Sequence, residues 1–563
     1  MQALRGLAYD PKSEREAHWL QPLWEGKCVR MKVVRRGLKL VMSEASKCAL
    51  AVFVVATAVT ICMSQTQAPA APPQHQFFHV ALSGSFVGPV SGRLLVFVGP
   101  ASGDGAAVDM NIMSPESVYV LAKEVSHLAA GETIDIDADS LVFPRPLSEA
   151  AAGTYRVQAV LDVGHTYNYE GRAPGDLISS PVSIDLPFSA SPTLTLAQIV
   201  PEPPDPLADR SDVASALKPL DFVSPLLTQF WGRDIHMRGW ILLPPGYEKQ
   251  PAEKYPTVYF THGFGGTLQG LRARYAPILY DRMKQGKMPE MIWVLLDESS
   301  PTGTHEFADS VNNGPWGKAL TTELIPRIEA DYRMDARTSG RFLQGHSSGG
   351  WATLWLQTHY PKIFGGTWST SPDPSDFHFF STIDLYAKNA NFYRDSNGVA
   401  TPILRDHGQA RATMQQLAGL ESVLGDYGGQ LGSFEWVFSP RGPDGRPQHL
   451  FNRDTGAIDP GVASYWRTHY DIVEYLNNNW NSIGPDLRGK IHLVVGTDDT
   501  FYLDGAAHSL ESALNKLGGQ PHFTFLPGRS HFNVYVVGED RFALFDQIAA
   551  EMYQVARPAR SKK

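Results

Sequence analysis

The sequence predicts an α/β chain: a doubly wound, mostly parallel sheet preceded by a small all-β sandwich. From about residue 220 onward, short apolar runs at 237–243, 257–261, 291–297, 341–344, 492–495 and 523–526 alternate with segments of helical period, the pattern of repeated βα units. Before them, residues 77–190 hold six β-rich segments separated by turn residues, near the spacing of a sandwich. Composition agrees, because 43% hydrophobic residues can bury a core, and Gly 50 with Pro 41 show no collagen-like period.

In chain order, residues 1–47 read as a basic n-region or a mis-assigned start, with Met31 and Met42 as later starts. Residues 48–70 contain an uncharged apolar run, Cys48 to Met63, behind Arg35, Arg36, Lys39 and Lys47. A basic stretch, a short apolar run and small residues after it make an export signal peptide, or alternatively a membrane anchor. The expected location is therefore secreted or periplasmic. All 3 cysteines, Cys28, Cys48 and Cys62, fall in or before this run, which leaves no disulfide framework, thiolate zinc site or cysteine nucleophile for the rest. Residues 1–69 carry ten Lys and Arg against five Asp and Glu, so a chain of net charge −9 has −14 on its remainder. Nucleic acid is excluded as a partner on that ground, since phosphate-backbone affinity needs clustered cations.

A Pro-rich spacer at 71–76 leads into the 77–190 module. The run Tyr155-Arg156-Val157-Gln158-Ala159-Val160-Leu161-Asp162-Val163 alternates like a half-buried strand. The module is expected to be a spacer or docking unit, or to contact carbohydrate or protein through Tyr167 and Tyr169. Residues 191–219, with four prolines between 201 and 206, read as a semi-rigid linker without helix or sheet. The α/β domain then covers 220–558, and a basic tail ends the chain at 559–563.

The chemistry lies in the second domain. Gly345-His346-Ser347-Ser348-Gly349 follows the apolar Phe342-Leu343, and Trp351, Leu354, Trp355 and Thr358 come after it at helical spacing. Glycines on both sides of a serine, between a strand and a helix, permit the sharp turn that presents a nucleophile. A serine hydroxyl needs a base to take its proton and an acid to orient that base. His531, in Pro527-Gly528-Arg529-Ser530-His531-Phe532, is the base candidate. Asp499, in Gly496-Thr497-Asp498-Asp499, is the acid candidate, Asp498 the close alternative and Asp504 a distant one. Both sites follow strands in the required order, Ser, Asp, His. An oxyanion needs two backbone N–H donors. One is expected from Ser348, the other from Phe264 or Gly265 in His262-Gly263-Phe264-Gly265-Gly266, which follows the strand at 257–261. A dinucleotide loop is excluded because the last glycine of its motif would fall at Leu268.

These residues resemble the "Putative esterase" family of the α/β-hydrolase fold, which includes feruloyl and acetylxylan esterases, S-formylglutathione hydrolases, enterobactin esterases and mycolyltransferases. The similarity covers roughly residues 225 to 555 and rests on Leu243-Pro244-Pro245-Gly246-Tyr247, the glycine loop at 262–266, Asn313-Gly314-Pro315-Trp316, the serine turn, Tyr360-Pro361, Gly496 to Asp499 and Gly528 to His531. In such esterases the acid is typically the fourth residue of the glycine-led turn, which favours Asp499. The resemblance implies ester hydrolysis on a small-molecule or carbohydrate-linked ester, with acyl transfer to sugars as the alternative, no metal and no cofactor. Export argues against formylglutathione, a cytosolic substrate.

About 150 residues separate Ser347 from Asp499, more than a compact member of the fold needs. Residues 375–475 are therefore expected to form an insertion, a cap whose aromatic residues wall the active site or, equally, pack into a core of their own. A helix-face zinc site is excluded because His305-Glu306 lacks a second His four residues on. A non-catalytic binding protein on a hydrolase scaffold is the rival from another class, and the joint presence of Ser347, Asp499, His531 and the glycine loop disfavours it.

Overall fold

A computed structural model describes residues 75–101, 107–169, 171–425 and 429–558. The expected export segment 48–70, residues 1–47 before it, most of the 71–76 spacer and the 559–563 tail lie outside the described residues. Among the described residues no helix is long and apolar enough to cross a membrane.

The amino-terminal module is a nine-stranded sheet. Its strands are β1 (Phe77–Leu82), β2 (Val90–Pro100), β3 (Tyr119–Leu128), β4 (Thr133–Asp137), β5 (Val142–Phe143), β6 (Gly153–Asp162), β7 (Leu177–Ser179), β8 (Val182–Leu186) and β9 (Thr193–Ile199). They follow the order β4-β1-β9-β7-β6-β2-β3-β5, with β8 also on β6. The inward residues of nearly all of them share one core, including Phe78, Leu94, Val96, Tyr119, Leu121, Ala159 and Leu196.

Part of the expected linker is structured. Thr193–Ile199 pairs parallel with β1 and antiparallel with β7; its Leu194 and Leu196 are buried while Thr193 and Thr195 face out. Ser211–Ala216 is a short helix, and Leu217–Val223 is the first strand of the second domain. Pro219 is tolerated in that strand because it lies at the sheet edge, where a missing N–H breaks no inner ladder.

The second domain is built on an eight-stranded sheet of β10 (Leu217–Val223), β11 (His236–Leu242), β12 (Thr257–Thr261), β13 (Ile292–Leu296), β14 (Arg341–His346), β15 (Gly366–Thr370), β16 (Ile491–Gly496) and β17 (His522–Leu526). Their order is β10-β11-β13-β12-β14-β15-β16-β17. β10 and β11 are antiparallel additions, and from β13 onward every pairing is parallel. Successive side chains go to opposite faces. Val258 and Phe260 enter one core with Trp293 and Leu295, whereas Tyr259 enters the other with Ile292, Val294 and Leu296. A mostly parallel sheet covered on both faces is a doubly wound α/β architecture, and it explains why β12 and β13 are buried without alternation.

The insertion comprises a hairpin of Pro402–Asp406 and Gln409–Thr413 and helices that include α2 (Met414–Leu424) and α3 (Gln430–Phe438). They follow α1 (Ser348–His359), the helix after Ser347. Phe377, Phe380, Phe392, Phe438, Phe451 and Trp466 are buried together with Trp351 and Trp355 of α1, and the Trp351 and Phe438 rings lie 4.8 Å apart. The aromatic residues therefore form a core against the helix behind the serine. Of the two expected arrangements, these side chains take the packed core.

The module and the α/β domain belong to one compact unit beginning at His75. β2 shows why. Leu94, Val96 and Val98 point into the module core, and the intervening Leu95 and Phe97 pack with Val120 and Val160 against Leu420, Val423 and Leu424 of α2.

Candidate active site

Ser347 stands at the carboxyl end of β14, between the ends of β12 and β15, with Thr261 paired to Gly345 and His346 to Thr370. Its backbone is left-handed, φ 60 and ψ −128, a conformation that costs a non-glycine residue about 1–3 kcal/mol and persists only where its surroundings enforce it. Three backbone hydrogen bonds do so: Ser347 N to Thr370 O at 3.0 Å, Trp351 N to Ser347 O at 3.0 Å and Asp373 N to Ser347 O at 3.3 Å. The flanking glycines are sterically required. A Cβ on Gly345 would sit 2.2 Å from Gly349 O, and one on Gly349 would sit 2.3 Å from His262 O. Only bare backbone lets the turn, the helix and the glycine loop approach so closely.

The acid and base candidates meet. His531 Nδ1 lies 2.9 Å from Asp499 Oδ2, and both residues are buried. Burial alone would raise the Asp499 carboxyl, but the charge and hydrogen bond of His531 and the Phe501 N–H outweigh it and hold the group below its ordinary value. Their two loops are joined: Asp498 N donates to Arg529 O, and Thr497 N to Leu526 O. A Cβ on Gly496 would meet Arg529 O at 1.9 Å. Asp498 points elsewhere, accepting from Gly408 N at 3.0 Å and pairing with Arg405 at 3.3 Å. Asp504 also pairs with Arg405, at 2.7 Å. Arg405 further donates to Asp499 O at 2.8 Å, so the inserted hairpin braces the acid turn.

His346 connects base and serine turn, its ring centroid 4.5 Å from that of His531. Burial, followed by the neighbouring His531, pushes His346 well below its ordinary value, which keeps it neutral. The Ser347 side chain is half-buried and makes no hydrogen bond among the described residues. Catalytic hydrogen bonds often tighten only when substrate binds.

The glycine loop lies directly on the serine, since a Cβ on Gly263 would fall 2.8 Å from Ser347 Cβ. The Phe264 and Gly265 N–H groups have no acceptor among the described residues, and Ser348 N–H heads α1, where no carbonyl of its own helix can reach it. His262 pins the loop from within, Nδ1 lying 2.8 Å from Gly263 O and Nε2 2.9 Å from Asp297 Oδ1. Although burial opposes it, the hydrogen bond and charge of Asp297 and the contact with Gly263 O raise His262 above its usual value.

Several residues of this region carried no sequence signal. Asp373 accepts from Ser348 Oγ at 2.6 Å, and burial pushes its carboxyl up to about 6. Phe501 and Phe532 stand against the base, their rings 4.8 and 5.4 Å from His531. Only Phe532, 49% exposed, offers a large free apolar face there. Tyr167 is buried, its ring 5.4 Å from Phe97 and its hydroxyl donating to Asp109. Tyr169 bonds to Glu421 of the insertion. Neither ring is a free carbohydrate platform, which corrects that expectation for these two side chains.

Among the described residues, two groups could each offer three ligand atoms to a metal, His75 with Asp137 and Asp139, and Asp376 with His378 and Asp471. In the second, the oxygens already accept from His378 N, Ser509 Oγ, Phe377 N and Tyr386 Oη. None of these residues bonds to Ser347, His531 or Asp499.

The family model described as "Putative esterase" matches residues 231–531, more than half of the chain, from before the glycine loop to His531. The chain belongs to that family. Two esterases of Mycobacterium tuberculosis strains are each 29% identical over 167 residues, covering 28% of this chain and 35% of theirs. The match thus spans about a third of the length of those relatives. Among solved structures, a ferulic acid esterase aligns at 15% identity over 60% of this chain and 98% of its own, with a TM-score of 0.38. An S-formylglutathione hydrolase from Agrobacterium tumefaciens aligns at 14% identity over 60% and 94%, with a TM-score of 0.35.

Proposed function

We propose that this esterase-family chain is a serine carboxylesterase that cleaves a small-molecule or carbohydrate-linked carboxylic ester through an acyl-enzyme. The observation that carries the reading is the buried His531–Asp499 pair, its imidazole 4.5 Å from the ring of His346, which precedes a serine held at positive φ with a hydroxyl that caps no helix N–H. Ser347 Oγ attacks the ester carbonyl as His531 Nε2 takes its proton, while Asp499 holds Nδ1–H and stabilises the imidazolium. The oxyanion is received by the N–H groups of Ser348 and Phe264, with Gly265 beside them. Collapse expels the alcohol, protonated by His531, and leaves the acyl group on Ser347. Water activated by the same imidazole then releases the acid. Export by residues 48–70 belongs to this reading and places the ester outside the cytosol.

Hydrolysis of a short p-nitrophenyl ester tests it. Ser347→Ala should abolish turnover in a protein that still unfolds cooperatively. Asp499→Asn should lower kcat by about three to four orders of magnitude, against a change within about fivefold for Asp498→Asn, whose carboxylate serves the hairpin. Retained turnover in Ser347→Ala would refute the nucleophile, and the reverse order of the two Asn variants would refute the acid.

A further inference from the structure

The β module reaches the catalytic loop. Its segment after β6 brings Tyr169 to Phe264, ring centroids 6.1 Å apart at 48°. Asn168 Nδ2 lies 3.4 Å from where a Cβ on Gly265 would stand. Gly265 itself has φ +74, so its lack of a side chain both permits the turn and leaves the room that Asn168 takes. Thus the module touches the two glycine-loop residues that carry candidate oxyanion donors, Phe264 and Gly265.

This segment is built rather than merely adjacent. Asp162 receives Thr166 N at 3.0 Å and Tyr167 N at 2.9 Å. Asp109 receives Gly171 N at 2.7 Å and pairs with Arg172 at 2.9 Å, and the Tyr167 hydroxyl lies 3.0 Å from Tyr169 O. Tyr169 has φ 75, a conformation that a bulky side chain adopts only under constraint. Its hydroxyl donates to Glu421 and accepts from Gln430 N at 2.9 Å. Glu421 in turn accepts from Leu431 N at 3.1 Å at the start of α3. The tyrosine is therefore fixed at its hydroxyl by the insertion and at its backbone by the module, and its ring is presented to the glycine loop. Opposite, His262 holds the loop from inside.

We infer that Tyr169 and Asn168 are positioning residues of the active site: the β module clamps the outer side of the 263–266 loop, setting the Phe264 and Gly265 N–H groups for the oxyanion and limiting access on that side. The inference deepens the esterase reading and rests on it for its catalytic meaning. Preorganised donors are effective because they need not reorient as charge develops, so a loosened loop should slow acylation more than it weakens binding.

Two readouts on the full chain separate this inference from the esterase reading. Hydrogen exchange of the peptide spanning 260–268 reports the clamp without any chemistry. The rate of fluorophosphonate labelling at Ser347, with kcat and KM for a p-nitrophenyl ester, reports its catalytic effect. Tyr169→Ala should speed loop exchange and slow labelling by about tenfold or more, with kcat falling more than KM rises. Tyr169→Phe keeps the ring on Phe264 and should label within about threefold of the parent, even where loss of the Glu421 bond lowers its melting temperature. Tyr169→Ala with parental exchange and labelling overturns the inference, and so does a Tyr169→Phe variant as slow as Tyr169→Ala, which would assign the effect to the hydroxyl and general docking. If the parent protein fails to label while Tyr169→Ala still frees the loop, the esterase reading falls and the clamp's catalytic role falls with it.

Discussion

A buried carboxyl must find a cation or keep its proton, and Glu298 does the second. It follows β13, is fully buried, and receives Thr261 Oγ1 at 2.9 Å. Burial pushes it up to about 8, from an ordinary value of 4.5. The folded protein therefore holds a proton that the unfolded chain releases, so this group favours folding most below about 4.5 and loses its contribution as pH rises through about 8. Asp373, raised to about 6, acts with the same sign over a narrower window. Asp499 acts oppositely, since its depressed carboxyl favours folding above its ordinary value of 3.8 and loses that contribution on acidification. Urea unfolding of Glu298→Gln, whose amide has no proton to lose, should show a smaller loss of stability between pH 5 and pH 8 than the parent. An unchanged slope would contradict the assignment.

At the scale of elements, the docking of β2, β3 and β6 on α2 makes the module part of the folded unit. Leu420 is fully buried there among Leu95, Phe97 and Val160, and Gln416 of the same helix donates to Glu116 of the module at 2.7 Å. Leu420→Ala should destabilise the chain by about 2–5 kcal/mol in a single cooperative denaturant transition. A separate early transition for the module would show instead that it folds independently. Most strands of both domains were readable as apolar or alternating runs, but β15 was not. Its sequence Gly366-Thr367-Trp368-Ser369-Thr370 has one large apolar residue, yet all five positions are buried. Ser369 bonds to Gly350 O and Thr370 to Gly345 O, so its hydroxyls tie the sheet to the serine turn. β9 was hidden differently: the Thr-Leu alternation at 193–196 is a strand pattern, obscured by the proline run that follows.

Across the whole molecule, the sequence marked the serine turn, the His531 loop, the Asp499 turn and the glycine loop because each has glycines next to a strand end. It could not mark Arg405, Asp373 or Phe501, nor the contact of Tyr169 with the glycine loop, because these depend on distant segments meeting. Tyr169 lies 95 positions before Phe264 in the chain, and nothing local relates them. These parts meet in the proposal that Ser347 is the nucleophile of an esterase whose base is His531. The most direct measurement is peptide mapping by mass spectrometry after exposure of the full chain to a fluorophosphonate probe. A single phosphonylated peptide is expected, carrying the adduct on Ser347, absent in Ser347→Ala and strongly slowed in His531→Ala. A parent protein that stays unlabelled, or an adduct on another residue, would contradict it.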